Sequence, residues 1–288
     1  MDLQLAQLLL NGVAVGCIIA LAAVGLTLTY GILRLANFAH GDLMTLGAYL
    51  TLVANASGIT LWLAMLVGAV GTVMAFLLSE KLLWSPMRDR RATSTTLMII
   101  SIGLALFIRN GVILVWGGGN QRYQIPVMPA QEFFGLKIAS DNLIVIGLAI
   151  AAMLLLHYLL QNTKIGKAMR AVADNTDLAR VTGINVDRVV LWTWVITAVL
   201  TALGGSLYGL TEAVRPNMGW FLILPTFAAV ILGGIGNPYG AIAGALVIGI
   251  AQEMSTPILG TQYKLGVALL VMIGVLLVRP KGLFKGTF

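Results

Sequence analysis

Charged residues are scarce in this sequence. Asp, Glu, Lys and Arg make up 10% of the 288 residues, whereas a soluble globular domain carries about 25%. The hydrophobic fraction is 59% and the mean hydropathy is +0.94, which excludes an ordinary water-soluble domain. Apolar runs of about 20 residues, enough to cross about 30 Å of hydrocarbon, suffice for about seven to nine crossings. The composition predicts an all-α polytopic membrane protein built as one domain over residues 1–288.

Cysteine, histidine and nucleotide-binding motifs are also rare or absent. The single cysteine, Cys17, excludes an intramolecular disulfide. Two histidines, His40 and His157, are too few for a histidine-based metal site. No G-x-x-x-x-G-K-[ST] phosphate loop occurs, because Gly166-Lys167 is not followed by Ser or Thr. We expect no catalytic residue, no metal and no cofactor on this chain, although a membrane enzyme stays an alternative class.

The positive charge is clustered rather than spread. The net charge is +7, and most of the 18 Lys and Arg fall in a basic loop at 80–91, a polar segment at 164–188 and a tail at 279–285. These clusters contain Lys81, Arg88, Arg90, Arg91, Lys164, Lys167, Arg170, Arg180, Arg188, Arg279, Lys281 and Lys285. Each lies between or after apolar runs, as cytoplasmic segments of membrane proteins do. The charge therefore indicates topology and a cytoplasmic C-terminus, not a nucleic-acid partner.

Nine apolar segments are predicted as crossing or re-entrant helices. They are 8–33, 43–54, 60–78, 95–116, 142–160, 189–210, 220–235, 241–252 and 264–278. The first segment lacks the basic start of a cleavable signal peptide, so we expect it to persist in the mature protein. Two segments between the first and second basic clusters, and four between the second and third, keep all three clusters on one side. The side of the N-terminus stays open, because residues 34–42 suit either a connecting loop or a re-entrant break.

Residues 161–188 form the one long polar segment, with five Lys or Arg and three Asp. Residues 167–181 contain neither Gly nor Pro and predict one short amphipathic helix, which Gly183 would stop. Two interpretations are open at this point. The segment is either a solvated cytoplasmic connector or a helix on which a cytoplasmic partner pushes.

Two breaks interrupt the apolar runs. The first, RLANFAHGD, carries Asn37, Phe38, His40 and Asp42, and ionisable groups near the membrane usually face a cavity, a partner or water. Its alternatives are an interfacial loop whose charges reach water, and a proton relay through His40 and Asp42. The relay is disfavoured because no matching acid or base lies mid-span elsewhere. Arg109, near the outer end of its span, is expected to reach the interface.

The second break is GGIGNPYG at 233–240. Short segments interrupted by Gly and Pro often mark unwound backbone that lines a transport pathway. A plain turn between two helices explains the same residues equally well. The residues concerned are Gly233, Gly234, Gly236, Asn237 and Pro238.

Three stretches resemble a known family. They are GLTLTYGILRLANFAHGDLMTLGAYL (25–50), IGKAMRAVADNTDLARVTGINVDRV (165–189) and FAAVILGGIGNPYGAIAGALVIG (227–249). They closely resemble the LivH-type permeases, which are membrane subunits of bacterial high-affinity branched-chain amino-acid ABC importers. The resemblance covers essentially the whole chain, and its NFAHGD and GIN-x-DRV segments are quite specific.

The resemblance implies a complex in the bacterial inner membrane. Its other members would be a sister permease, two cytoplasmic ATPases that bind ATP and Mg²⁺, and a periplasmic or lipid-anchored substrate-binding protein. The polar segment would be the coupling helix that docks into the ATPases, with Arg170, Asp174 and Arg180 at the rim of the contact. A urea or short-amide ABC permease and an ion-coupled secondary transporter stay as alternatives.

Two groups of site residues follow from these expectations. The ATPase-coupling group is Arg170, Ala171, Asp174, Asn175, Ala179, Arg180 and Gly183. The pathway or permease-interface group is Asn37, Phe38, His40, Asp42, Gly233, Gly234, Gly236, Asn237 and Pro238.

Overall fold

Most residues that the computed structural model describes are helical. The described residues are 2–126, 131–133, 136–280 and 282–284; Lys281 and Lys285 of the predicted basic tail lie outside them. Within these ranges, seven helices are long and apolar enough to cross a membrane, and Met218–Gly233 is a shorter apolar helix. The prediction of an all-α polytopic membrane protein is confirmed.

The α-helices follow one another along the chain with short connections. They are α1 (Asp2–Leu33), α2 (Ala39–Ala56), α3 (Leu61–Ser79), α4 (Ser85–Asp89), α5 (Ser94–Trp116), α6 (Ser140–Asn162), α7 (Lys164–Asp174), α8 (Thr176–Val181), α9 (Val186–Thr211), α10 (Met218–Gly233), α11 (Pro238–Met254), α12 (Thr256–Leu259) and α13 (Lys264–Val278). A π-helical turn, Glu80–Trp84, joins α3 to α4, and a 3₁₀ turn, Thr261–Tyr263, precedes α13. Two short strands, β1 (Gln131–Phe133) and β2 (Leu136–Ile138), pair antiparallel in the connection between α5 and α6, with Gln131 opposite Ile138.

Helices α1, α2 and α9 form the centre of the bundle. In the most apolar stretch of α9, 72% of the residues are buried, and in that of α1, 67%; the values for α5 and α13 are 17% and 11%. Helix α1 packs on α11, α9, α10 and α6, while α2 packs on α3, α9, α5 and α10. Helices α5 and α13 therefore present most of their apolar side chains to lipid or to a partner.

Glycines bring the central helices into backbone contact. A Cβ atom on Gly249 of α11 would lie 2.4 Å from the backbone nitrogen of Gly16 on α1, and one on Gly12 would lie 2.7 Å from Ile250 Cα. Small residues of this kind allow close helix approach in lipid, where no hydrophobic effect drives helices together. Dispersion between closely approaching backbones therefore stabilises the α1–α11 contact at these glycines.

The bundle has two polar ends. One end, called the α7 face below, carries α7, α8, the linker 34–38 and the turn 234–237, since Arg34 Nη2 donates to Ala173 O at 3.3 Å and Gly236 N donates to Thr27 Oγ1 at 2.9 Å. The opposite end carries the α5–α6 connection, where Tyr123 donates to Ala48 O at 3.3 Å. Burial raises the pKa of Tyr123 because the phenolate would lose hydration.

The basic segment 80–91 is mainly helical, so its expectation as a loop is wrong. The π-helical turn places Glu80 against Arg88, and the carboxylate also accepts a hydrogen bond from Trp194 Nε1 of α9 at 2.7 Å. Glu80 is 6% exposed, so these donors replace the water that a buried carboxylate loses. The ion pair spans eight residues through an irregular turn, a spacing that no regular helix pattern predicts.

Replacing Trp194 with phenylalanine tests this anchor. The variant should lose about 1.5–3 kcal/mol of stability, the range for a hydrogen bond to a charged group. Chemical unfolding in detergent, compared with Trp192→Phe, measures the difference. Trp192 lies on the same helix and is 41% exposed. Equal losses for both variants would contradict a specific role for the Trp194–Glu80 bond.

Candidate functional site

The polar segment folds as two helices, not as the single helix predicted for 167–181. Asn175 has extended backbone angles (φ −151°, ψ 105°) and separates α7 from α8. Its Oδ1 accepts a hydrogen bond from Leu178 N at 3.0 Å, so the same residue ends one helix and caps the next. Gly183, at φ +89°, ends the second helix. The single-helix prediction failed because the side chain of an asparagine can bond to a nearby backbone N–H, and this bond competes with a continuous helix.

Exposure divides the predicted coupling residues. Asp174, Asn175, Arg180 and Gly183 are exposed, Arg170 and Ala171 are half-buried, and Ala179 is 3% exposed. Two apolar residues of α8 that the sequence analysis did not select, Leu178 and Val181, are 59% and 85% exposed. They are three residues apart and so share one face of α8. A partner approaching α8 would meet Leu178 and Val181, whereas Ala179 packs inward.

The first break places its polar side chains inside the protein. Asn37 and His40 are fully buried, and Phe38 is half-buried against Phe227, with ring centroids 4.7 Å apart. Asn37 Oδ1 accepts a hydrogen bond from Ala39 N at 3.0 Å, which starts α2 earlier than the span predicted at 43–54. His40 Nε2 lies 3.4 Å from Thr201 Oγ1 on α9.

Asp42 of this break forms a buried ion pair with Arg109 on α5. Its carboxylate accepts hydrogen bonds from Arg109 Nε and Nη2, both at 2.9 Å. Asp42 is 1% exposed and the Arg109 side chain 16%. The guanidinium also lies 4.7 Å from the ring centroid of Trp220 on α10. Arg109 therefore pairs inside the protein, contrary to the expectation that it reaches the interface, and it joins α5 to α2 and α10.

A glycine contact adjoins this ion pair. The start of α10 lies so close to α2 that a Cβ on Gly219 would fall 1.8 Å from Gly41 O. Gly219 N donates to Thr45 Oγ1 at 3.0 Å. Both glycines are needed for this approach, which brings Trp220 beside Arg109.

The second break is an ordered turn between α10 and α11. Gly234 and Gly236 have φ of +106° and +90°, a region that other residues rarely adopt. Asn237 Oδ1 accepts hydrogen bonds from Tyr239 N (3.0 Å) and Gly240 N (3.1 Å), and Pro238 occupies the first turn of α11. The geometry is that of a capped helix–helix turn.

Parts of both predicted groups lie at the α7 face, without a hydrogen bond or ion pair between them among the described residues. The Arg34 guanidinium connects the linker before α2 to the end of α7, and the 234–237 turn lies at the same end of the bundle. Asp42 and His40 lie deeper, on α2. Among the described residues, no three His, Cys, Asp or Glu side chains gather where a metal ion could bind. Leu178 and Val181, which the sequence patterns did not select, are a further candidate pair at this face, and an exposed apolar pair on a polar segment is a signal that could have found them.

Comparisons with known proteins agree with this architecture. The family model described as "Branched-chain amino acid transport system / permease component" matches residues 8–276. The permease LivH of Escherichia coli K12 is 34% identical, over 96% of this chain and 94% of its own length. BraD of Pseudomonas aeruginosa is 32% identical over the same shares. In fold, the chain is similar to a chain of PsaBC from Streptococcus pneumoniae, with a TM-score of 0.55, 14% identity, and 96% and 92% of the two chains covered. The chain belongs to the family of branched-chain amino acid transport permeases.

Proposed function

We propose that the chain is the membrane-spanning permease of an ATP-driven ABC importer for branched-chain or other neutral amino acids. A sister permease would complete the pathway. Two cytoplasmic ATPases would bind ATP and Mg²⁺ and hydrolyse the ATP, and a periplasmic or lipid-anchored binding protein would deliver the substrate. The relatives LivH and BraD are described as high-affinity branched-chain amino acid permeases, which supports this substrate class.

The observation that carries the proposal is the α7–α8 segment. It stands between the membrane spans α6 and α9, and Met169, Val172 and Ala179 hold it on the bundle. Its outer side presents Leu178 and Val181 beside charged residues. A segment anchored on its inner side and apolar on its outer side suits a partner that binds it and moves it. ATPase closure would then displace α7 and α8 and tilt the attached spans.

The α7 face would be cytoplasmic in this arrangement. The basic residues of the segments 80–91 and 164–188 favour that side, and the C-terminus would share it. Because α1 begins at the opposite end of the bundle, where Asn142 Nδ2 donates to Asn11 Oδ1 at 3.1 Å, the N-terminus would lie outside.

The pathway assignment of the two breaks stays a prediction. Asn37, His40 and Asp42 are buried within this chain, so the substrate would reach them only after α2, α5 and α10 move apart. The 234–237 turn lies at the same end of the bundle as α7. Cysteine scanning of residues 37–42 with a membrane-impermeant thiol reagent, after replacement of Cys17, measures this access in each nucleotide state.

Co-purification tests the proposal against its alternatives. The tagged chain, solubilised from its native membrane, should carry an ATPase and a second permease, identified by mass spectrometry. A urea or short-amide importer would show the same subunits but a binding protein with a different ligand. A chain that purifies without any ATPase and still transports with an ion gradient would instead be a secondary transporter.

A further inference from the structure

Gln161, near the end of α6, bonds to side chains on two other helices. Its amide oxygen accepts a hydrogen bond from Arg170 Nη1 on α7. Its amide nitrogen donates to the Tyr239 hydroxyl on the first turn of α11, at 3.1 Å. His157 Nδ1 lies 2.8 Å from the same hydroxyl. These four side chains are called the Gln161 relay below.

The hydrogen bonds of the Gln161 relay form a series in which each donor is followed by the next acceptor. Arg170 donates to Gln161, Gln161 donates to Tyr239, and the Tyr239 hydroxyl then has its own proton free for His157 Nδ1. Hydrogen bonds arranged in series polarise one another, and the first is strengthened by the guanidinium charge. In the His157 tautomer with its proton on Nε2, Nδ1 accepts the Tyr239 proton and completes the series.

The relay connects helices whose packing alone does not couple them strongly. Helix α7 packs mainly on α6, α9 and α1, and α11 packs mainly on α1, α10 and α13. Tyr239 directly follows Asn237 and Pro238, so its hydroxyl holds the beginning of α11 and the 234–237 turn before it. Tyr239 is 43% exposed, so hydrogen bonds rather than burial fix the position of its hydroxyl.

We propose that Gln161 and Tyr239 are positioning residues that pass the displacement of α7 to the turn between α10 and α11. The inference rests on the proposed function, because only ATPases that move α7 create a displacement to pass on. When α7 moves, Arg170 displaces the Gln161 amide to which it is bonded. Gln161 in turn displaces Tyr239 and the beginning of α11. The relay is thus a side-chain link between the docking segment and the second break.

The test uses the complete importer in liposomes, with L-leucine as the probe. Leucine transported per ATP hydrolysed is measured for Tyr239→Phe, which keeps the ring and removes the hydroxyl. Loss of these bonds should lower the ratio about fivefold, within the usual range of a coupling between sites. Tyr158→Phe is the matched control: Tyr158 is 60% exposed, and its hydroxyl has no hydrogen-bond partner among the described residues. It should keep the wild-type ratio.

A double-mutant cycle adds a readout that a merely structural role would not produce. Gln161→Met and Tyr239→Phe should each lower the ratio, and the double variant should lower it no further, because both break the same relay. The amount of ATPase recovered with each variant should stay unchanged. A wild-type ratio for Tyr239→Phe, equal effects of the two Phe variants, additive effects in the cycle, or loss of ATPase binding would each overturn the inference.

Failure of the inference is distinguishable from failure of the proposed function. Leu178→Asp/Val181→Asp attacks the docking surface itself. If that double variant loses transport while Tyr239→Phe does not, the relay is refuted and the proposed function stands. If the α8 variant transports normally with its ATPases bound, α8 is not the docking surface. The proposed function itself fails only if the wild-type chain purifies without any ATPase and still transports with an ion gradient.

Discussion

Replacing Asp42 with alanine is expected to lower the free energy of unfolding by about 3–5 kcal/mol. The substitution leaves the Arg109 guanidinium, 16% exposed, without its carboxylate in a site lined by protein. The remaining contact with Trp220, at 4.7 Å, offsets little of that desolvation. Since α5 packs chiefly on α2, losing the pair should also loosen α5. Unfolding in detergent micelles, followed by tryptophan fluorescence, measures the change.

Two controls separate the buried charge from ordinary truncation. Asp174→Ala removes an exposed acid and should change stability by no more than about 0.5 kcal/mol. Asp42→Ala/Arg109→Met removes both charges and keeps most of the arginine stem, so it should be more stable than Asp42→Ala. If the double variant is less stable than the single one, the unpaired charge is not the cause.

The largest functional effect is expected from Leu178→Asp/Val181→Asp. Burying one such aliphatic side chain contributes about 1.5–3 kcal/mol, so placing two carboxylates there should weaken ATPase binding by more than about 100-fold. Helix α8 itself should form normally, because its Asn175 cap and the buried Ala179 are untouched. The ATPase retained by the purified permease and leucine uptake are the two measurements.

A conservative variant checks that the loss comes from polarity. Leu178→Met/Val181→Ile keeps both positions apolar and should retain ATPases and transport. A bulky substitution such as Ala179→Trp would not test docking, because Ala179 is 3% exposed and a large ring there would displace α8 from the bundle. ATPase retention by the double aspartate variant would refute α8 as the docking surface.

The helices were predictable from the sequence because hydropathy and length are local properties. Runs of about 20 apolar residues marked the spans, and the polar composition of 161–188 marked the segment that lies outside them. The break within that segment was missed. The absence of Gly and Pro from 167–181 predicted one continuous helix, but the Asn175 side chain caps α8 and divides the segment into two helices. An asparagine favours the backbone geometry of a helix cap, but its presence in a sequence does not determine that a cap forms.

The contacts of the candidate site were largely beyond prediction. Asp42 and Arg109 are 67 residues apart, and nothing local indicates that the two charges meet inside the bundle. Glu80 looked like one acid in a basic loop, whereas the π-helical turn directs it to Trp194. Such pairs form because charges buried by helix packing need partners, and the packing itself is set by long-range contacts. The coupling and pathway assignments stay predictions until function is measured.

Reconstitution into liposomes tests the central claim most directly. The purified chain alone, the chain with its sister permease and ATPases, and the complete set with binding protein are compared for leucine accumulation, with ATP inside the vesicles or with an imposed ion gradient. Accumulation is expected only from the complete set, only with ATP, and without response to the gradient. Gradient-driven accumulation by the chain alone would show that it is a secondary transporter and not the permease of an ATP-driven importer.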